Sequence, residues 1–159
     1  MFEPVHYKNQ LTIQMSSSWK KIGLAVLALG DFLETFDADE IIFARSGAVL
    51  REMLTNAIRH GNQSDSEKSI HVHITCLKNS VLCLSVEDEG EGFDISLLNT
   101  SAPPSSDKNR KRGLYLIRSL SDRVEFNTRG NAITAYLSTS DKSPAESDSF
   151  VQHDKPASV

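Results

Sequence analysis

The sequence predicts an α+β fold, a two-layer sandwich in which helices cover one face of a mixed, mainly antiparallel sheet. Segments that alternate apolar and polar residues predict strands near both ends of the chain and in its middle. Segments with apolar residues at spacings of three and four predict helices between those strands. The chain has 159 residues, 39% of them hydrophobic and 24% charged, which suffices for one domain with a packed core.

The first elements are a strand and two helices. LTIQM alternates apolar and polar residues, and the three serines that follow are typical helix caps. Asp37 or Asp39 is expected to cap the second helix, which ends near Gly61. The predicted core faces are Trp19, Ile22, Val26, Leu29, Leu33 and Phe36 in the first helix, and Ile42, Phe43, Leu50, Met53, Leu54 and Ala57 in the second.

Two strands with a hairpin between them come next, IHVHITCL and VLCLSV. Each strand carries one cysteine, so a cross-strand disulfide has to be considered. The apolar alternation places Cys76 on the core face and Cys83 on the opposite face, which argues against it. We expect two reduced, partly buried thiols, as is usual in the cytoplasm.

The last part of the domain contains a long loop, a helix and two strands. Residues 94–112 include two prolines, several serines and a basic cluster, which predicts a mobile loop. GLYLIRSLSDR then predicts a third helix, and VEFNTRGNAITAYL predicts two closing strands. Residues 140–159 have almost no apolar content, so we expect a domain over residues 1–139 and a disordered tail over residues 140–159.

Charge and hydropathy exclude two classes of protein. The net charge of -4 argues against a general nucleic-acid-binding protein, since contacts to phosphate require a basic excess. The longest apolar run, IGLAVLALG, is far shorter than the ~20 residues of a transmembrane helix, and no signal peptide precedes it. We therefore expect a soluble cytoplasmic protein without nucleic-acid or membrane partners.

The segment EMLTNAIRHGN places polar residues in a helix that otherwise looks buried. Glu52 and Asn56 lie about 40° apart at the edge of the apolar stripe, which directs them toward a rim or pocket. An exposed glutamate with an i, i+4 neighbour is also ordinary helix surface. His60 is interpreted as a histidine whose hydrogen bonds are satisfied at the helix end. His71 and His73 lack a third ligand at a spacing suitable for zinc, so no zinc site is expected.

Two further segments suit a ligand. Strand parity sends Asp88 toward the core side, where a carboxylate needs partners. Gly90 and Gly92 follow directly and allow the backbone to turn sharply and approach a flat ligand, although a simple strand-ending turn also explains them. Gly113 opens a helix beside the basic loop, and helix N-termini attract phosphate.

Together, EMLTNAIRHGN, DEGEGFD and RGLYLIRSLSDRVEF resemble the N-box and the two glycine boxes of the Bergerat-fold (GHKL, histidine kinase-like) ATPases. Within that superfamily the chain is most similar to the anti-sigma-factor serine/threonine kinases of partner-switching pathways. The resemblance spans residues 10–138. It implies that Asn56 coordinates the Mg²⁺ of bound ATP and that Glu52 is the general base for an attacking serine hydroxyl.

The resemblance also assigns the residues around the adenine ring of ATP. Asp88 would accept a hydrogen bond from the exocyclic amino group of adenine and thereby discriminate against guanine. Gly90 and Gly92 would let the backbone pass the base, and Thr134 would support the adenine contact through water.

The second glycine box departs from the family pattern. The loop ending at Arg112 would be the ATP lid, with Gly113 and Leu114 at the helix start. The family usually has two glycines spaced GxG, and Lys111 stands where the first one is expected. Lys111 and Arg112 either replace a backbone contact with side-chain charge or mark a weakened nucleotide site.

The implied function is ATP-dependent phosphorylation of a serine on an anti-anti-sigma (STAS-type) antagonist, by a chain that sequesters a sigma factor or another regulatory partner when the antagonist is absent. One alternative is a module in which ATP sets partner affinity without phosphoryl transfer. Another is a detached histidine kinase catalytic domain, although too few residues precede the strand at Leu11 for a dimerisation helix pair. The sheet face without helices is available for partners or a homodimer.

Overall fold

The structure is a computed structural model that describes residues 1–77, 80–95, 109–139 and 151–153. It confirms the predicted α+β class, with helices packed on one face of a mixed sheet. In chain order, the elements are β1 (Phe2–Tyr7), β2 (Gln10–Ser16), α1 (Ile22–Glu34), α2 (Glu40–Asn56), β3 (Ser69–Leu77), β4 (Val81–Asp88), α3 (Asn109–Leu120), β5 (Arg123–Asn127), β6 (Ala132–Ser138) and β7 (Val151–His153).

The sheet has the strand order β1-β2-β3-β4-β6-β5-β7. Every neighbouring pair is antiparallel except β5 and β7, which run parallel. The short strand β7 lies inside the segment that was expected to be disordered, and the remainder of that segment falls outside the described residues. Most of the predicted loop, residues 96–108, and the hairpin residues 78–79 also fall outside them.

The core lies between the sheet and the helices. Every second residue of the central strands is buried, as the alternation predicts. Burial of this apolar surface, at roughly 25 cal/mol per Å², provides the main driving force for folding. The strand residues in the core include Leu11, Ile13, Met15, Ile70, Val72, Ile74, Leu82, Leu84, Val86, Ile133, Ala135 and Leu137.

The helices differ from the prediction mainly at their ends. A single 3-10 turn, Trp19–Lys21, precedes α1, so Trp19 is 45% exposed rather than in the core. Its ring is covered by the Arg59 guanidinium, 5.4 Å from the ring centroid. Phe36 lies beyond the last residue of α1 and is 40% exposed. Asp39, rather than Asp37, caps α2 by accepting a hydrogen bond from the Ile42 N–H at 2.8 Å.

The edge strand β1 is an element that the sequence did not indicate. All its residues except Phe2 are exposed, so FEPVHY has no buried alternation to mark it as a strand. A tight turn with Lys8 at a φ of 49° joins it to β2. Its pairing with β2 comes from backbone hydrogen bonds and not from core burial.

The cysteine prediction is confirmed in its geometry. Both thiols are free, and the register pairs Cys83 with Thr75 and Cys76 with Leu82. Burial raises the pKa of both thiols, and the Glu125 carboxylate raises that of Cys83 further, against a smaller opposing effect of Arg123. Neither environment favours a reactive thiolate. Within the described part of the chain, no helix is long and apolar enough to cross a membrane.

Candidate functional site

A narrow cleft with a cavity volume of about 30 Å³, partly open to solvent, lies between the last turns of α2 and the end of β4. α3 covers one end of the cleft, and the turns that follow β4 and β5 form the other end. The described lining consists of Met53, Asn56, Ala57, His60, Gly61, Val86, Asp88, Gly92, Phe93, Leu114, Phe126, Gly130, Asn131, Ala132 and Ile133. Its lining includes an amide, Asn56, and a carboxylate, Asp88, among apolar side chains, so it suits a ligand with both polar and apolar parts.

α3 begins at Asn109 and not at Gly113 as predicted, because the basic residues before Gly113 are good helix formers. Gly113 therefore lies in the second turn of α3, which meets the polar residues of α2 at the first end of the cleft. Gly113 is buried there, and a β-carbon at this position would lie 2.9 Å from Glu52 Oε2 and 3.3 Å from both amide atoms of Asn56. Glu52 and Asn56 are one helical turn apart, so both point at the same turn of α3. The structure therefore brings Glu52, Asn56 and Gly113 together, as the sequence predicted.

The amide of Asn56 is suited to a polar ligand. Its Nδ2 atom is buried and has no hydrogen-bond partner among the described residues. An unsatisfied buried amide costs about 1–3 kcal/mol, which a bound polar group recovers. The amide also carries an oxygen donor of the kind that Mg²⁺ prefers, so a hydrated Mg²⁺ fits this position.

The helix α2 continues into a π-helical turn, Ala57–Gly61. Such turns change the direction in which following side chains point and are frequent at functional sites. Here the turn places His60 on the cleft wall and brings Gly61 directly against the Asp88 carboxylate, where any β-carbon would overlap it.

At the other end of the cleft, Asp88 is held in one orientation. Its Oδ1 atom accepts a hydrogen bond from the Gly90 N–H at 2.8 Å. Its backbone N–H donates to the Asn131 carbonyl at 3.0 Å, and Asn131 Nδ2 donates to the Asp88 carbonyl at 2.7 Å. Fixed on both sides, the carboxylate forms an anionic patch on the cleft wall, suited to a hydrogen-bond donor.

Asn62 is a site-building residue that sequence reasoning missed. Its side chain is 0% exposed. Nδ2 donates to the Ser69 carbonyl at 2.9 Å and Oδ1 accepts from the Glu89 N–H at 2.9 Å, which joins the end of α2 to the strands β3 and β4. An asparagine beside a glycine is so common after helices that nothing in RHGN distinguished this one.

Two glycines lock the turns at the Asp88 end. Gly92 and Gly130 have φ values of +80° and +76°. A β-carbon on Gly92 would overlap the Arg129 carbonyl, and one on Gly130 would overlap the Phe93 carbonyl. Each turn therefore packs into the space left by the glycine of the other.

This packing predicts the effect of Gly92→Ala. The positive φ and the backbone overlap should together destabilise the fold by more than ~1 kcal/mol, visible as a lower Tm. Gly23→Ala is the matched control because that glycine lies in α1 with open space around it, so its Tm should stay unchanged or rise. Equal Tm values for both variants would contradict the described locking.

Not all predicted residues belong to this cleft. Thr134 must be corrected, because its parity in β6 places it on the sheet face opposite the helices, where its hydroxyl donates to Ser85 Oγ at 3.0 Å. Gly92 and Leu114 line the cleft, whereas Glu52, Gly90 and Gly113 lie next to lining residues and are not part of the described lining themselves. Arg112 is exposed and is not part of the described lining, and the side chain of Lys111 lies outside the described residues.

Part of the apolar wall of the cleft was predicted as core. Met53 and Val86 do lie in the core, but both side chains also line the cleft. Phe93 and Phe126 pack edge to face, with ring centroids 5.5 Å apart, beside the Asp88 end. The periodicity of a strand or helix cannot distinguish residues that line a cleft from residues of the core, because both kinds of residue are apolar and lie on the same face of the element.

Comparison with known proteins agrees with this geometry. Residues 15–137 match the family described as histidine kinase-like ATPase domain. The chain is 30% identical over 87 residues to an anti-sigma F factor of Priestia megaterium, covering 55% of this chain and 59% of that protein. It is 26% identical over 86 residues to an anti-sigma F factor of Bacillus subtilis (strain 168), covering 54% and 58%. The similarity thus spans less than two thirds of these curated relatives.

Proposed function

Because the chain belongs to the histidine kinase-like ATPase domain family, we propose that it binds ATP and Mg²⁺ in this cleft and phosphorylates a serine of an anti-anti-sigma (STAS-type) protein. In the absence of that antagonist, it sequesters a sigma factor. The names of the similar proteins from Priestia megaterium and Bacillus subtilis support an anti-sigma role.

One observation carries the proposal. The cleft has a fixed carboxylate, Asp88, at one end and Asn56 at the other, beside the place where α3 packs against Glu52. An adenine amino group can donate to Asp88, and the phosphates then extend toward Asn56 and the first turn of α3, whose free N–H groups precede Gly113 and attract anions. The different chemistry of Asp88 and Asn56 therefore sets the direction of the nucleotide along the cleft.

Asn56 would hold Mg²⁺ through its amide oxygen, with phosphate and water oxygens completing the octahedron. When bound, the cation neutralises charge on the phosphates during transfer. Asn56 also fixes the phosphates relative to Glu52, which is one turn away on α2.

Glu52 takes the proton in the transfer step. The serine hydroxyl oxygen of the partner attacks the γ-phosphorus, and a new P–O bond forms while the bond to the β–γ bridging oxygen breaks. ADP leaves with the electron pair of that bond, and the serine proton passes to the Glu52 carboxylate. Gly113 leaves room for this carboxylate because it has no side chain.

A second candidate is a partner-binding module in which ATP sets affinity without transfer. Its supporting observation is Lys111, which occupies the place of the usual first glycine of the second glycine box. In this candidate, a residue with a side chain at that position still allows nucleotide binding, but it limits how closely the backbone can approach the γ-phosphate. The two candidates differ in whether the acceptor serine becomes phosphorylated.

A calorimetric titration tests nucleotide binding directly. We expect the full chain to bind ATP in the presence of Mg²⁺, to bind it more weakly without Mg²⁺, and to reject GTP. Incubation with radiolabelled ATP and the STAS-type protein then separates kinase from binding module by labelling of serine. Absence of binding to either nucleotide would refute both candidates.

Gly113→Ala is predicted to separate folding from catalysis. The new methyl group would lie 2.9 Å from Glu52 Oε2, so the flexible carboxylate must move. Alanine is also the better helix former by up to ~1 kcal/mol, so the Tm should not fall. We expect phosphoryl transfer to drop by at least roughly tenfold, because displacement by about 1 Å at a reacting group has large effects. Unchanged transfer would show that Glu52 does not need its observed position.

A further inference from the structure

Arg45, in α2, reaches across to the last turn of α3. Its Nη2 and Nε atoms donate to the Leu120 carbonyl at 3.0 and 3.3 Å. Its Nη1 atom donates to the Ser138 carbonyl at 3.4 Å, and its Nη2 atom lies 3.9 Å from Asp122 Oδ2. The guanidinium group thus binds the C-terminal end of α3 and the end of β6 at once.

The position of Arg45 in α2 matches the position of Glu52. The two residues are seven positions apart, which is about two turns or ~10.5 Å, so they lie on the same side of the helix. Gly113 and Leu120 are also seven positions apart, in α3. Because Leu120 lies against Arg45 and Gly113 lies against Glu52, the two helices run antiparallel with matched spacing.

We propose that Arg45 is a positioning residue of the phosphoryl-transfer site, which sets the axial position of α3 and thereby the place of its first turns over Glu52 and Asn56. The inference rests on the proposed function for its catalytic consequence. Its structural part depends only on the contacts of Arg45 and Gly113.

The chemistry of arginine suits this task. The last carbonyls of a helix have no partner within the helix and carry partial negative charge, which a cation satisfies. A planar guanidinium group directs several N–H groups at fixed angles, so it holds one carbonyl with two bonds and a second carbonyl with a third. Lysine has a single nitrogen without this geometry and would hold α3 less firmly.

A residue that only caps α3 would act differently from a residue that positions it. A local cap affects overall stability and the last turn of α3. A positioning residue also affects the turn of α3 around Gly113, about 10 Å away. It leaves the Asp88 end of the cleft, where adenine is proposed to bind, unchanged, because Asp88 is held separately by Gly90 and Asn131.

The test compares Arg45→Lys with Arg51→Lys, an exposed position in the same helix. Calorimetry with Mg²⁺ measures ATP affinity, and displacement of ATP by AMP measures binding at the adenine end. We expect Arg45→Lys to weaken ATP binding at least about fivefold and AMP binding less than about twofold, and Arg51→Lys to change neither. If the affinities for ATP and AMP fell by the same factor in Arg45→Lys, the proposal would be overturned.

Hydrogen exchange in the ligand-free proteins provides an independent readout. In Arg45→Lys the amides of residues 113–116 should exchange at least about threefold faster than in the unmodified chain, whereas those of α1 should not change. Faster exchange confined to residues 118–120 would show a simple cap and overturn the inference. This readout remains decisive if the chain binds no ATP, so failure of the proposed function is distinguishable from failure of the positioning role.

Discussion

Replacement of Glu52 by glutamine is expected to abolish phosphoryl transfer while leaving ATP binding intact. Glutamine keeps the size of the side chain and its contact with Gly113, but it cannot accept the serine proton. General-base catalysis contributes roughly 10²–10⁴-fold in rate, so labelling of the STAS-type protein should fall by at least roughly 100-fold. The affinity for ATP with Mg²⁺ should change less than about threefold.

The control for this experiment is Glu34→Gln, which removes the same charge from an exposed position at the end of α1. It should transfer phosphate at the rate of the unmodified chain. If Glu52→Gln also retained transfer, Glu52 would not be the base. If ATP binding were lost with transfer, its role would be structural or in binding the nucleotide.

Asp88→Asn should produce the largest loss of nucleotide affinity. The variant keeps an oxygen that can accept the Gly90 N–H, so the local turn is maintained. It replaces part of a carboxylate with an amide donor, which opposes the adenine amino group and favours the carbonyl of guanine. A mismatch of this kind costs about 1–3 kcal/mol, or roughly 5- to 150-fold in ATP affinity, and the preference for ATP over GTP should narrow.

Calorimetry with ATP and GTP, together with thermal unfolding, measures this effect. The matched control is Glu87→Gln, the exposed preceding residue, which points to the other sheet face and should leave both affinities unchanged. Unaltered ATP affinity in Asp88→Asn would remove Asp88 from the site. A large fall in Tm would instead assign Asp88 to folding.

Much of this site was predictable because its polar residues stand beside or within strong apolar patterns. Glu52 and Asn56 lie at the edge of the apolar stripe of α2, and Asp88 occupies a core-facing position of β4, so each indicates a role beyond core packing. The fold class followed from the same patterns. The edge strand β1 did not, because it has no buried face. The alternation in AITAYL already places Thr134 opposite the buried Ile133, Ala135 and Leu137, so the family resemblance, and not the strand pattern, had assigned it to the site.

Residues that support the site from a distance in sequence were also not predictable. Asn62, Asn131 and Arg45 act through backbone groups of other elements, and such contacts leave no periodic trace in the sequence. Only the three-dimensional register shows that Arg45 meets Leu120 while Glu52 meets Gly113. Sequence patterns identified the candidate reacting groups, and the structure identified what holds them.

The interlocked turns of Gly92 and Gly130 also make the Asp88 end the rigid end of the cleft. They close the Asp88 end with backbone against backbone, and Arg129 adds a hydrogen bond to the Gly90 carbonyl at 3.0 Å. Under the proposed function, we therefore expect a bound nucleotide to be held rigidly at its adenine and to have more freedom at its phosphates. The lifetime of bound ADP should then depend more on how α3 packs on Glu52 and Asn56 than on the turns around Asp88.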